Sequence, residues 1–127
     1  MAAPADAAHL PYQAPIEAYG DGGFRFAGMS HRGSLMCLPD GIWAWPITRT
    51  DAIDENSLAL AFDRAGSLDL FLVGSGRDVW IMPATLRQHC RDGGLNVDVM
   101  QTGAAVRTYN ILLAEGRRVG AALIAIA

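Results

Sequence analysis

The second half of the chain alternates between two hydrophobic periods, and this alternation limits the possible folds more than any other feature. Residues 68–73 (LDLFLV) form a nearly continuous apolar run, typical of a strand covered on both faces. Residues 95–99 and 119–126 are predicted as further strands. Helices separate the three strands, one opening at Pro83 and ending at Gly93-Gly94, the other spanning residues 103–115. Strands joined by such crossovers lie parallel, so the order predicts an α/β domain with a mostly parallel sheet.

The first half of the chain has the period of β structure up to Pro46. Strands are predicted at residues 16–19, 24–26, 30–38 and 42–45. Tight turns separate them, and we expect these hairpins to extend the main sheet or to cover one of its sides. From Asp54 the period becomes helical, and Gly66 ends the segment. The apolar face of this predicted helix consists of Leu58, Ala61, Phe62 and Ala65.

Domain organisation follows from length and from the character of the N-terminal residues. Residues 1–15 are rich in Ala and Pro and show no period, which predicts a flexible tail. Residues 16–127 are predicted to form one α/β domain, since 127 residues fit the usual size of a single domain.

Charge and composition exclude several classes of function. With a net charge of −3 and a pI near 5.4, the protein has no positive electrostatic field that would attract nucleic acid. The longest apolar run is far shorter than the roughly 20 residues that a membrane-spanning helix needs. All ten cationic residues are Arg, which together with abundant Ala and Gly indicates a GC-rich, bacterial coding bias.

The cysteines and the N-terminus bear on the compartment. Cys37 and Cys90 lack the paired spacing of a disulfide framework and fit a reducing compartment. Residues 1–15 resemble neither a secretory signal nor a mitochondrial presequence, because they contain no Arg and Asp6 interrupts them. We therefore expect a cytoplasmic protein.

No arrangement of residues predicts catalysis or a metal site. His89 and Cys90 are neighbours on a helix and point about 100° apart, so they cannot form a nucleophile–base pair. Ser30 and His31 fail because neighbours in a strand face opposite ways. The three histidines and two cysteines also lack metal-ligand spacing. Catalytic residues, metal ligands and cofactors are therefore not predicted.

The best candidate for a ligand site is the loop Gly74-Ser75-Gly76, which follows a buried strand where open α/β sheets place their crevice. It is neither a dinucleotide fingerprint nor a P-loop. Two interpretations are open. The glycines allow a tight exit from the strand, or they form a nest for an anion or small ligand with Arg77 nearby.

The segment from Thr102 to Arg118 is the second candidate. Thr102 is predicted to cap a helix whose first amides could receive an anion, with Arg107 and Asn110 on the polar side and Arg117 after the end. Capping and solvation would also explain these residues. The sharper hypothesis is a crevice between the glycine loop and the helix start, with Arg77 or Arg107 as an anion clamp.

Trp43 and Trp45 are two residues apart in a predicted strand and therefore project from one face. They pack in the core, or they form a protein-binding surface together with Trp80. Arg117 is the further residue predicted for an interaction surface.

The motifs of the second half also resemble a known family. A strand ends in Gly-x-Gly, a later strand ends at a Thr, and the next helix carries an Ala pair and a Tyr-Asn pair and is followed by an Arg. The matching positions are Gly74, Gly76, Thr102, Ala104, Ala105, Tyr109, Asn110 and Arg117. This pattern resembles the small domain family that includes mitochondrial respiratory complex I assembly factor three.

The resemblance implies a fold and a class of function. The fold would be a single three-layer domain with a central mixed, mostly parallel sheet, flanking helices and an N-terminal β-hairpin subregion. No established reaction comes with it, and the best-described eukaryotic member resembles a protein-binding chaperone for an enzyme complex. An assembly factor with a protein partner is therefore the expected function, and small-ligand binding, with or without catalysis, is the alternative. Neither the partner nor the oligomeric state follows from the sequence.

Overall fold

Strands dominate the first 45 residues, and strands alternate with helices thereafter. The computed structural model describes residues 8–127. The strands are β1 (Ala8–Leu10), β2 (Ile16–Gly20), β3 (Gly23–Phe26), β4 (Met29–Arg32), β5 (Ser34–Leu38), β6 (Gly41–Trp45), β7 (Leu70–Gly74), β8 (Val97–Met100) and β9 (Val119–Leu123). The helices are α1 (Ala59–Asp63), α2 (Ala84–Asp92) and α3 (Thr102–Ala114).

The central sheet has the strand order β1-β6-β5-β9-β7-β8. Strand β7 lies parallel to both β8 and β9, as the crossover helices predicted. Strand β9 is antiparallel to β5, and β5, β6 and β1 continue the antiparallel part. The predicted mixed α/β sheet is confirmed. Its parallel part consists of β8, β7 and β9, the three strands that the crossover pattern predicted, and β9 pairs on its other side with β5 of the first half.

The hairpin subregion forms a second sheet of order β2-β3-β4. The predicted strand at residues 30–38 is in fact two strands, because Gly33 has a φ of 100° and bends the chain from the small sheet into the central one. Such a φ suits glycine and breaks regular pairing. The early hairpins therefore both extend the main sheet and cover one of its sides.

Two apolar clusters, one on each side of the central sheet, form the core. Along β7, Phe71 and Val73 face the first cluster with α1 and α2, whereas Leu72 faces the second cluster with α3 and the small sheet. All three side chains are fully buried, as expected for a strand covered on both faces. The layers are therefore α1 and α2, the central sheet, and α3 with the small sheet, which confirms the predicted three-layer fold.

The helix predicted from Asp54 is much shorter than its apolar pattern indicated. Only α1 is α-helical there, and residues Ala65–Ser67 form a single 3-10 turn. The Asp54 carboxylate accepts the Ser57 N–H at 2.8 Å, and the Ser57 hydroxyl donates to the Asp54 carbonyl at 2.9 Å. Side-chain bonds of this kind compete with helical ones, so the helix begins only after them.

Part of the predicted tail lies on the sheet. Strand β1 pairs with β6, and the Tyr109 hydroxyl donates to the Ala14 carbonyl at 2.8 Å. Residues 8–15 therefore pack on the domain instead of hanging from it. The tail prediction for residues 1–7 falls outside the described part of the chain.

Candidate functional site

The glycine loop and the start of α3 meet at the carboxyl ends of the parallel strands. The Gly76 N–H donates to the Thr102 hydroxyl oxygen at 2.8 Å, and that hydroxyl donates to the Ile124 carbonyl at 2.8 Å. The Ser75 N–H donates to the Met100 carbonyl, also at 2.8 Å. We call this junction of the loop Gly74-Ser75-Gly76 with Thr102 and Ile124 the corner. It brings together the ends of β7, β8 and β9.

Thr102 does not cap α3, contrary to the sequence prediction. Gln101 occupies the cap position and makes no side-chain capping bond, while Thr102 is the first helical residue. Its side chain is 0% exposed, and its single hydroxyl both accepts and donates a hydrogen bond. The hydroxyl therefore ties three chain segments together, because loop and strand partners 26 and 22 residues away compete with the local cap.

The interior of the corner is filled by protein atoms. A Cβ atom on Gly74 would lie 3.0 Å from Leu123 Cδ2 and 3.1 Å from Thr102 Cα, so glycine is needed for this close approach. The Ser75 side chain is also buried, and its hydroxyl donates to the Asp78 carbonyl at 2.6 Å. The predicted crevice between loop and helix is thus occupied by Thr102 itself.

A shallow cleft of about 280 Å³ lies outside the corner, between Tyr19, Arg77 and Arg107. The Arg77 guanidinium donates to the Ala127 carbonyl, and the Arg77 carbonyl accepts from the Gln101 side-chain amide. Arg107 is exposed, and no carboxylate among residues 8–127 lies within salt-bridge distance of it. The two predicted clamp residues therefore border the same cleft, and Arg77 uses one of its guanidinium N–H groups to bind Ala127.

Asn110 faces the small sheet and not this cleft, which corrects its place in the predicted ligand site. Its amide accepts the Ile16 N–H and donates to the Ile16 carbonyl, both at 2.8 Å. Its neighbour Tyr109 is buried beside Cys37. Burial raises the pKa of the Cys37 thiol to about 12 and also raises the pKa of the Tyr109 hydroxyl, so Tyr109 remains a donor to Ala14. The Tyr-Asn pair fastens the N-terminal segment to α3.

The predicted interaction residues divide into buried and exposed ones. Trp43 and Trp45 are only 6% and 5% exposed, so they pack in the core and offer no ring to a partner. The Trp45 indole donates to the Ser57 carbonyl at 2.8 Å, and the Arg64 guanidinium lies 5.0 Å from the Trp43 ring centre. Arg117 is exposed. The hydrogen bond from Arg118 lowers the pKa of the Asp69 carboxyl, and the positive charge of Arg117 lowers it further.

Sequence reasoning missed the most unusual surface, which directly follows the corner. Val79 is 79% exposed and Ile81 is 84% exposed, with the partly buried Trp80 between them. We call residues 79–81 the apolar loop. It borders an open cavity of about 490 Å³ that Arg49, Arg77 and Asp78 also line. The sequence signal for this surface was the apolar run of residues 79–82 just before Pro83. No other apolar run has a period that matches it and could pair with it.

The described part of the chain contains neither a metal-binding cluster nor a membrane-spanning helix. No group of three or more His, Cys, Asp or Glu side chains within residues 8–127 is arranged to hold a metal ion. Likewise, none of the helices in that range has the length and apolar character to cross a bilayer.

Comparison with known proteins assigns the chain to a family. A family model described as "Protein of unknown function (DUF498/DUF598)" matches residues 16–124. This chain belongs to the DUF498/DUF598 family. An uncharacterized family relative from Rhodobacter capsulatus is 41% identical over 110 residues, which are 87% of this chain and 83% of that protein.

A mouse relative carries a functional name. NADH dehydrogenase (ubiquinone) 1 alpha subcomplex assembly factor 3 of Mus musculus is 30% identical over 115 residues, covering 91% of this chain and 62% of the mouse protein. The chain thus spans less than two thirds of that protein. The resemblance to the complex I assembly factor three family is confirmed.

A solved structure agrees with the fold of this DUF498/DUF598 member. The crystal structure of a protein from Bartonella henselae, described as an outer membrane protein, superimposes with a TM-score of 0.89 at 42% identity. The match covers 94% of this chain and all of that one.

Proposed function

We propose that this protein is a protein-binding module that assists the assembly of a membrane-associated respiratory complex. Its relatives named as NADH dehydrogenase assembly factors support the biological role. The apolar loop supports the mode of action, because exposed apolar patches with a polar rim are typical of protein-binding surfaces. The loop is the single observation that carries the proposal.

The apolar loop is held in place from both sides. On its N-terminal side, the Ser75 hydroxyl and the Gln101 amide bond to the backbone of Asp78 and Arg77. On its C-terminal side, Met82 is 2% exposed and fixes the chain in the core. A loop fixed in this way loses little conformational freedom on binding, which favours affinity. In this proposal the corner positions the loop and does not itself bind a ligand.

The small-ligand alternative has weaker support. An anion site needs free donors, yet the hydroxyls of Thr102 and Ser75 both donate within the protein, and the Arg77 guanidinium already donates one hydrogen bond to the Ala127 carbonyl. Arg107 alone is a modest attraction at an exposed position. A thermal-shift screen with inorganic phosphate and nucleotides tests this alternative, since a ligand at about 100 times its dissociation constant adds ~2.7 kcal/mol of stability.

The proposed site of action is the bacterial cytoplasm. Both cysteines are free and buried, which fits a reducing compartment. The partner is a protein subunit or assembly intermediate that reaches the membrane from that side.

The decisive experiment compares two surfaces in living cells. In a bacterium lacking this gene, we would express the wild type, the double variant Val79→Ser with Ile81→Ser, and the control Ile111→Ser. Ile111 is 59% exposed on α3 and matches the loop residues in chemistry but not in place. Assembly of NADH dehydrogenase would be followed by native gel electrophoresis and by NADH oxidation of isolated membranes.

We expect the wild type and Ile111→Ser to restore assembly and the double variant to fail, with equal amounts of all three proteins in the cell. The same order is expected when tagged proteins are used to recover partners. Normal assembly in the deletion strain, together with no partner recovered above background, would count decisively against the proposal.

A further inference from the structure

The edge of the central sheet at β8 is open. Strand β8 is the last in the order and, among residues 8–127, pairs only with β7. The Phe71 N–H donates to the Asn96 carbonyl and the Ser75 N–H to the Met100 carbonyl, each at 2.8 Å. Successive residues of a parallel strand direct their backbone groups to opposite sides of the strand. Since Asn96 and Met100 bond to β7, the N–H and C=O groups of Val97 and Val99 point in the sheet plane toward the open edge.

A groove runs beside this edge on the α2 side. Its volume is about 420 Å³, and its floor is formed by Cys90, Leu95 and Val97. Arg87 and Arg91, four residues apart and so on one face of α2, line its wall. Within the described residues, no carboxylate lies within 4.0 Å of either guanidinium. The groove thus offers backbone groups, an apolar floor and two unpaired cations.

We propose that the β8 edge binds an extended, acidic segment of a partner protein by strand addition. The backbone groups of Val97 and Val99 would pair with the segment, as in other β-augmentation complexes. Alternate side chains of an added strand point to one face, so acidic residues at every second position would reach Arg87 and Arg91. The inference rests on the proposed function only in that the occupant is a protein, because edge and apolar loop are separate surfaces.

A second copy of this chain is a poorer occupant. Two β8 strands paired antiparallel about a two-fold axis form one continuous sheet with both α2 helices on the same face. The arginines of the two copies would then approach each other across the junction, and like charges at such a junction are destabilising. An acidic segment removes this conflict.

A synthetic peptide tests the edge directly. The probe is a seven-residue peptide alternating Val and Glu, added to the isotope-labelled full chain. We expect amide shifts confined to β8 and α2 and slower hydrogen exchange at Val97 and Val99. Two controls are matched in length: a Val/Lys peptide, and the Val/Glu peptide with N-methyl groups along both edges. Neither control should bind measurably. Arg87→Glu combined with Arg91→Glu should weaken binding of the Val/Glu peptide by roughly tenfold or more.

A proline variant separates binding from folding. Val99→Pro removes an N–H that faces solvent, so the fold should persist while peptide binding is lost. Asp98→Pro removes an N–H that points to β7 and should destabilise the sheet, which confirms the direction of the groups. Binding that survives Val99→Pro, or equal binding of the Val/Lys peptide, overturns the inference. A dimer in sedimentation velocity that protects Val97 and Val99 without peptide also overturns it, in favour of a self-interface. None of these outcomes affects the test of the apolar loop.

Discussion

The corner and the apolar loop lie next to each other in the chain and are opposite in character. At the corner, every polar side chain is buried and bonded within the protein, and Thr102 alone joins three segments. Three and five residues after Gly76, the side chains of Val79 and Ile81 are largely exposed. The side chains of the corner are therefore buried and stabilise the fold, whereas the apolar side chains of the loop are exposed and contribute little to the core.

This difference separates stability from binding. Changes at the corner should lower the free energy of unfolding through lost hydrogen bonds or crowding, with any loss of binding being secondary. Changes in the loop should affect binding while the fold keeps its stability.

Thr102→Val is expected to destabilise the protein by about 2–4 kcal/mol. Valine nearly matches threonine in shape, but it leaves the buried Gly76 N–H and Ile124 carbonyl without partners, at about 1–3 kcal/mol each. Urea unfolding followed by circular dichroism measures the loss. Thr102→Ser, which keeps the hydroxyl, should lose only about 1 kcal/mol. Equal losses for both variants would mean that packing, and not the hydroxyl, holds the corner together.

Gly74→Ala is expected to cost about 1–3 kcal/mol, because the new methyl group would lie 3.0 Å from Leu123 Cδ2 and 3.1 Å from Thr102 Cα, so side chain and helix backbone both have to shift. The control is Gly103→Ala on the same side of the corner. There the methyl group meets the end of the Tyr19 side chain, which is partly exposed and can swing away, and alanine favours the helix by up to about 1 kcal/mol. Thermal unfolding should rank Gly74→Ala clearly below Gly103→Ala. The reverse ranking would contradict a rigid corner.

Asn110→Ala should cost about 1–2 kcal/mol, because it removes both bonds between α3 and Ile16. Hydrogen exchange should become faster in β2 and β3, while the amides of the corner remain protected. Arg107→Ala, also on α3 but exposed, should change stability by less than about 0.5 kcal/mol. If Arg107→Ala strongly reduced ligand or partner binding while Asn110→Ala left binding unchanged, the anion-clamp hypothesis would be restored.

Features that depend on local pattern were predictable from the sequence. The buried strand β7, the helix α2 with Leu86 and Cys90 inside, and the strand–helix alternation follow from periods that neighbouring residues define. The mixed sheet and the family were also within reach, because several motifs occur together in order. The α1 prediction was too long, since an apolar period does not reveal that Asp54 and Ser57 bond to each other's backbone.

Features that depend on distant partners were not predictable. Threonine is a residue type that often caps helices, but the hydrogen-bond partners of the Thr102 hydroxyl lie 22 and 26 residues away. No local sequence rule identifies such partners. Gly33 looks like any glycine in a strand, although it divides two sheets. The exposure of Val79 and Ile81 was missed for the same reason, because apolar residues are expected to be buried unless the remaining surface is known.

The smallest expected effect on stability belongs to Val79→Ser combined with Ile81→Ser, and it tests the division most sharply. Both side chains are already in water, so their replacement removes almost no buried area and should change the free energy of unfolding by less than about 0.5 kcal/mol in urea titrations. Partner recovery should nevertheless be lost, because a few residues at the centre of an interface carry most of its binding energy and can each cost more than about 1 kcal/mol when truncated. If the double variant instead unfolds as easily as Thr102→Val, the loop is part of the core and the proposed binding surface is wrong.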